Sequence, residues 1–313
     1  MGIQRHLVKT FYAVKPAIPR RLQISMRRSY VRLTAGRHRI SWPINEKASG
    51  QPEGWTGWPH HKKFALVLTH DVEGPKGEDR CLELMDFEIS AGVRSGFYFV
   101  PGRARRSDEV FPPLKRNGFE IGVHGLFHDG RLFSSPSTFR RGAGLINHFL
   151  AKWGAVGFRG DSMHHKLDWM HSLHILYDAS TFDVDPFEPQ PDGVNTIFPF
   201  HVECPLSGAK FVEIPYTLPQ DFTLFVVMRE RAIDIWKRKL DWIAARGGMA
   251  LVITHPDYMN WKGRGAPGGE YPADFYKGFL AYVSQKYGGV FWNALPSEIA
   301  RHWNLPRSGE GKD

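Results

Sequence analysis

The chain reads as an α/β protein, a distorted (β/α) barrel of seven to eight β/α units, and three observations predict this. Short apolar runs of strand length recur between Phe64 and Leu295. Helix-like stretches separate several of them, and continuous apolar runs alternating with helices imply parallel strands buried on both faces. Residues able to do chemistry stand at the carboxyl ends of these runs, which in a β/α barrel converge on the face where active sites are built.

Taken in order, the predicted strands are FALVLTH (64–70), GFYFV (96–100), EIGVH (120–124), VGFRG (156–160), ILYDAS (175–180), FVEIPY (211–216), MALVITH (249–255) and VFWNAL (290–295). Helices are expected in CLELMDFEISAG, STFRRGAGLINHFLAKW and RERAIDIWKRKLDWIAARGG, the last with Ile233, Trp236 and Trp242 at core spacing. The expected organisation is a basic N-terminal arm (1–48), a Gly/Pro/Trp-rich linker (49–63), the barrel domain (64–305) and a C-terminal tail (306–313). In the arm, Ile3, Leu7, Phe11 and Val14 fall at helical spacing before the breakers Pro16 and Pro19.

The net charge of +9 invites a nucleic-acid reading, but its placement argues against one. Ten Lys and Arg and no acid fall in residues 1–40, which leaves 31 basic against 32 acidic residues in the rest. The charge placement leads to the expectation of no nucleic-acid partner and of an anionic membrane surface touched through the basic arm. No apolar run reaches the roughly 18 residues of a membrane span. The arm lacks the apolar core of a secretory signal, so the expected location is cytoplasmic. Two cysteines, Cys81 and Cys204, in no metal-binding spacing, are expected as buried thiols.

The strand-end residues are His70, Asp71, His124, Arg159, Asp178 and His255. His124-Gly-Leu-Phe-His128 follows a strand, so one helical turn would bring both imidazoles to one side. Fifteen histidines make some pairs inevitable, and His60, His61, His164, His165, His171 and His174 are rivals. Thr69-His70-Asp71-Val72-Glu73-Gly74-Pro75 supplies the context: a histidine pair needs a third ligand, and two acids one residue apart can divide metal binding from proton transfer. Either acid can take either part on this reasoning. The acidic, Pro-rich stretch 182–193 suits a loop over the active face. Tyr216 and Phe222, in PYTLPQDF, are candidates for lining a substrate groove or for ordinary packing.

These segments together resemble the polysaccharide deacetylase family, also called NodB-homology or carbohydrate esterase family four. THDVEG is similar to its first motif in a DxE-type variant, HGLFH to its second, Gly157-Phe158-Arg159 to its third, YDAST to its fourth and Leu251-Val-Ile-Thr-His255-Pro256 to its fifth. The likeness runs in family order over residues 64–256. It implies Asp71 as general base, Glu73, His124 and His128 as metal ligands, and Arg159 as the partner that tunes Asp71. His255 would be the general acid, oriented by Asp178 or Asp183. Because Val72 separates acids that are adjacent in the commoner motif, the roles of Asp71 and Glu73 are exchangeable. Arg159 is followed by Gly160-Asp161-Ser162 where the family has a small residue, proline and often an aromatic, so Asp161 is expected to compete for Arg159 and the groove to be reshaped.

The implied activity is metal-dependent removal of N-acetyl groups from an amino sugar of a polysaccharide or glycan precursor. Zinc suits two imidazoles and a carboxylate, and cobalt, nickel or iron(II) suit them too. The alternatives are a C–N hydrolase of a non-sugar amide on the same scaffold and a non-catalytic saccharide-binding protein.

Overall fold

The structure, a computed structural model, describes residues 19–38, 40–263 and 269–305. The expected helical spacing at Ile3 to Val14 and the tail 306–313 lie outside them. Helix α1 (Arg20–Thr34) precedes β1 (Phe64–Val72), α2 (Cys81–Ser90), β2 (Gly96–Phe99), α3 (Ser107–Arg116), β3 (Glu120–His124) and α4 (Pro136–Trp153). Then come β4 (Gly157–Arg159), β5 (Tyr177–Asp178), β6 (Phe200–Glu203), β7 (Lys210–Glu213), α5 (Asp234–Arg246) and β8 (Met249–Thr254). The short strands β9 (Met259–Asn260) and β10 (Tyr271–Pro272), then α6 (Asp274–Tyr287), β11 (Phe291–Asn293) and α7 (Pro296–Trp303), complete the order.

The sheet curls in the order β8, β1, β2, β3, β4, β5, β7, with every one of these neighbours parallel. β11 pairs with the first three residues of β1 on the side that β2 takes higher up, and β6 closes the far edge antiparallel to β7. This is the distorted (β/α) barrel the sequence predicts. Its seam, between β7 and β8, is stitched past the end of β7: Thr217 and Leu218 donate their N–H groups to the Leu251 carbonyl, and the Thr217 hydroxyl accepts from Leu251 N–H at 2.9 Å.

All nine residues of β1 are buried, as a strand flanked on both edges and covered on both faces requires. Alternation along it decides which side chains reach the site. Thr69 and Asp71 point one way, onto Arg159, while His70 points the other, onto Glu88 of α2. α4 shows why the local sequence makes a helix there: Ser135 caps Thr138 N–H, Pro136 occupies the first turn, and Gly154 ends it in the left-handed region.

Several elements escape the sequence reading. α3 carries Pro112 and Pro113 internally, residues that ordinarily end a helix, and it survives by burying Val110, Phe111 and Leu114. Between β5 and β7 a loop and the β6 hairpin replace a helix. Residues 222–228 form a π-helical turn where the sequence reading places no element. Residues 49–63, expected as a linker, lie against the barrel: Trp58 is buried, donates Nε1–H to the Gly247 carbonyl, and sits with Trp55 against Trp303. α1 likewise docks through Ile24 and Val31. Of the cysteines, Cys81 is buried and Cys204 only half so. No helix among the described residues is long and apolar enough to cross a membrane.

Candidate metal centre and active site

β3 ends at His124, and the turn after it returns His128 to the same place, with the ring centroids 5.1 Å apart. His128 takes a left-handed backbone, φ 54°, to make this approach. Glu73, just beyond β1, brings Oε1 to 2.9 Å from His128 Nε2. One ligand atom each from Glu73, His124 and His128 lies within 4.8 Å of the others. This donor set includes Glu73 and not Asp71.

The chemistry of the three groups fits a divalent ion. His128 Nε2 is buried and, despite its nearness to Glu73 Oε1, has no hydrogen bond of acceptable geometry, as expected when two donor atoms face a common point. His124 is oriented from behind, its Nδ1 lying 3.2 Å from the Arg159 carbonyl, which leaves Nε2 for the site. Glu73 is held at both ends: Tyr258 donates its hydroxyl to Oε2, and Asp257 Oδ2 accepts Glu73 N–H, each at 2.9 Å. Burial lowers the His124 pKa, which favours the neutral, ligating imidazole. At His128 burial acts in the same direction, but Glu73 outweighs it and raises the pKa.

Asp71 faces the same space from β1, its Oδ2 3.8 Å from His124 Nε2. Arg159 donates from Nη1 to Asp71 Oδ1 at 2.7 Å and to Thr69 Oγ1 at 3.1 Å, and from Nε to the Ala179 carbonyl at 2.9 Å. Its guanidinium also rests 4.3 Å from the centroid of the Tyr98 ring. Burial acts to raise the Asp71 pKa, yet Arg159, His124 and His255 outweigh it and hold the carboxyl below its usual range. Asp71 is therefore a carboxylate at neutral pH. Removing one partner of this buried pair would strand a charge, at a cost of about 3–5 kcal/mol.

His255 follows β8 and presents Nε2 3.9 Å from Glu73 Oε1. Here the expected orienting residue is corrected. Neither Asp178 nor Asp183 holds His255; Asp221 does, with Oδ1 2.6 Å from Nδ1 and Oδ2 accepting His255 N–H at 2.7 Å. Tyr271 donates to the same Oδ2. Burial alone would lower the His255 pKa, but Asp221, then Glu73 and Asp71, raise it to about 10.

Asp178 is engaged elsewhere, accepting from the Ser180 hydroxyl and N–H beside Glu213 of β7. Asp183 is bound by Lys239. Both belong to the second half of the sheet, where short strands and a long loop misled the assignment. Asp161 does not compete for Arg159: its Oδ2 accepts Gly130 N–H at 2.7 Å, and its Oδ1 is buried without a hydrogen-bond partner among the described residues. Tyr216 is fully buried and forms no groove, bonding Asp185 and Glu188, whereas Phe222 lies 6.4 Å from the His255 ring and 5.0 Å from that of Tyr258. Sequence reasoning missed Asp221, Asp257 and Tyr258. The signals were an acid opening the apolar run QDFTLFVVM and the polar pair directly after His255-Pro256.

Comparison with known proteins adds to this geometry. No family model and no curated protein matches the chain. Solved structures do. A protein assigned as a polysaccharide deacetylase from Mycobacterium smegmatis is 20% identical, with TM-score 0.60 over 84% of this chain and 99% of that one. A probable polysaccharide deacetylase from Pseudomonas aeruginosa PAO1 is 17% identical, with TM-score 0.63 over 87% of this chain and 98% of that one. Puue allantoinase is 16% identical, with TM-score 0.63 over 82% and 95%. The chain thus has the fold shared by structures of polysaccharide deacetylases and of an allantoinase. Within that fold it carries a buried two-histidine, one-glutamate cluster suited to a metal ion.

Proposed function

We propose that the chain belongs to the polysaccharide deacetylase family and is a metal-dependent N-deacetylase, removing N-acetyl groups from an amino sugar in a polysaccharide or glycan precursor. The observation that carries this reading is the convergence of the Glu73, His124 and His128 donors with an arginine-held Asp71 and an aspartate-held His255. Zinc is the first choice of ion, with cobalt, nickel and iron(II) compatible with the same donors. The bound ion would supply Lewis acidity toward an acetamide carbonyl and toward water.

The remaining work falls to the chain's own residues. Asp71, kept ionised by Arg159, accepts the proton of the attacking water. Asp221 fixes His255 Nδ1 and stabilises its protonated ring, so Nε2 can deliver a proton to the departing nitrogen. That proton is needed because an amide anion is a very poor leaving group. The products are acetate and a free amine.

Metal analysis of the purified protein, followed by acetate release from N-acetylated oligosaccharides with and without chelator, tests the reading. Bound metal with chelator-sensitive acetate release is expected, and a protein that binds no metal would refute it. A second reading, hydrolysis of a non-sugar amide, draws on the occurrence of the same fold in an allantoinase, since fold does not fix substrate. Metal without acetate release, together with turnover of other amides, would favour it.

A further inference from the structure

Apart from the metal centre, α1 and residues 40–47 wall a cleft of about 1520 Å3. α1 contributes Ser25, Arg28, Ser29 and Arg32 to its lining, at spacing i, i+3, i+4 and i+7, which places them on one helix face. All four can donate hydrogen bonds, and α1 contains no acid. Arg229, which ends the π-helical turn, and Arg238 of α5 line the same cleft.

Among the described residues no carboxylate pairs with Arg28, Arg32, Arg229 or Arg238. Arg28 donates Nε and Nη2 to the Val226 carbonyl, and among the described residues its Nη1 has no acceptor. Burial, and after it the charge of Arg229, depresses its pKa. Of the two acids on the lining, Glu46 already accepts from Trp242 and Arg246, which leaves Glu230. Lys47 adds a further cation.

Guanidinium groups gathered without counter-ions repel one another unless an anion joins them, and their forked donors match the oxygens of phosphate. The cleft is far larger than one phosphate and has an apolar side in Val31, Ile44 and Met228. Trp42, on the same lining, has a buried Nε1–H with no acceptor among the described residues.

We propose that this cleft is a binding site for a phosphate or diphosphate group carried on a larger molecule. It is separate from the metal centre: the π-helical turn stands between them, with Phe222 beside His255 at one end and Arg229 at the other. The chemistry is shared by a soluble phosphorylated compound and a lipid phosphate, and the test distinguishes them.

Calorimetric titration of the full chain with inorganic pyrophosphate is expected to reveal a saturable site. It should persist in His124→Ala, which excludes pyrophosphate bound at the metal. Arg32→Ala with Arg238→Ala, both exposed and bonded to no described residue, should weaken binding at least tenfold without changing the melting temperature. Arg140→Ala with Arg141→Ala, an equal loss of exposed charge on α4, should not. Sedimentation with phosphatidylglycerol vesicles, displaced by pyrophosphate, would assign the site to a lipid phosphate; pyrophosphate binding without sedimentation would assign it to a soluble ligand. Absence of a saturable site, its loss in His124→Ala, or equal weakening in the two double variants would overturn the proposal.

Discussion

Tyr258 donates its hydroxyl to Glu73 Oε2 at 2.9 Å while the other carboxylate oxygen of Glu73 faces His128. One hydrogen bond thus sets which oxygen is presented to the metal centre. Tyr258→Phe keeps the ring against Phe222 and removes that bond. Metal affinity is expected to fall by about tenfold or more, the usual effect of losing an outer-shell partner, with the fold intact. Competitive titration against a chromophoric chelator measures it, and an unchanged affinity would remove Tyr258 from the site.

Gly77 is the second lever on Glu73. A Cβ there would lie 2.2 Å from Asp257 Oδ2, the atom that accepts Glu73 N–H. Asp257 is half-buried, and moving it aside breaks its bond to Glu73 N–H, so Gly77→Ala should cost roughly 1–3 kcal/mol and weaken metal binding as well. Denaturant unfolding with and without metal would register both effects, and a variant with unaltered metal affinity would disconnect Asp257 from Glu73.

Asp221→Asn keeps the size of the side chain and removes the charge that holds His255 protonated. Turnover should drop by about two orders of magnitude, the lower end of a general acid's usual contribution, while metal content is retained. Metal content and single-turnover rates separate this from general damage. Full turnover in the variant would reject His255 as the proton donor.

A pH effect on stability is expected from the acidic loop at 182–193. The Tyr216 hydroxyl lies 3.0 Å from Asp185 and 2.9 Å from Glu188 but has one proton to give, so one of the two carboxyls must itself be protonated. Burial, and after it Glu188, raise the Asp185 pKa to about 8 from its ordinary 3.8. The folded protein then holds a proton that the unfolded chain releases, so stability falls as pH rises from about 4 through about 8 and levels beyond. Asp185→Asn mimics the protonated acid and should lack this fall, being clearly more stable than the parent protein at pH 9 and little different at pH 4. Parallel melting curves for the two proteins across that range would contradict the shared proton.

The first half of the barrel was legible because its strands end on their chemical residues. β3 is predicted to the residue, and His124 stands at its end in register with Arg159 of β4. Alternation along β1 was harder to use: His70 and Asp71 look alike in sequence, yet only one faces the site. The second half misled because β5 and β7 are short and the chain between them folds back on itself, so acids near a strand end there, Asp178 and Asp183, are spent on internal partners. Asp221 was hidden for a different reason. It opens a π-helical turn, for which sequence periodicity offers no template, and only the fold carries it across to His255.

β1 has β8 along one edge and β11 and β2 along the other, and it leads into Glu73 while carrying Asp71. A strand in that position has no local opening that exposes it. Its amide hydrogens should exchange with solvent only when the whole chain unfolds, and Asp71 and the approach to Glu73 share that protection. The candidate site and the fold therefore have one melting event between them, and any ligand that tightens the site slows exchange throughout the sheet.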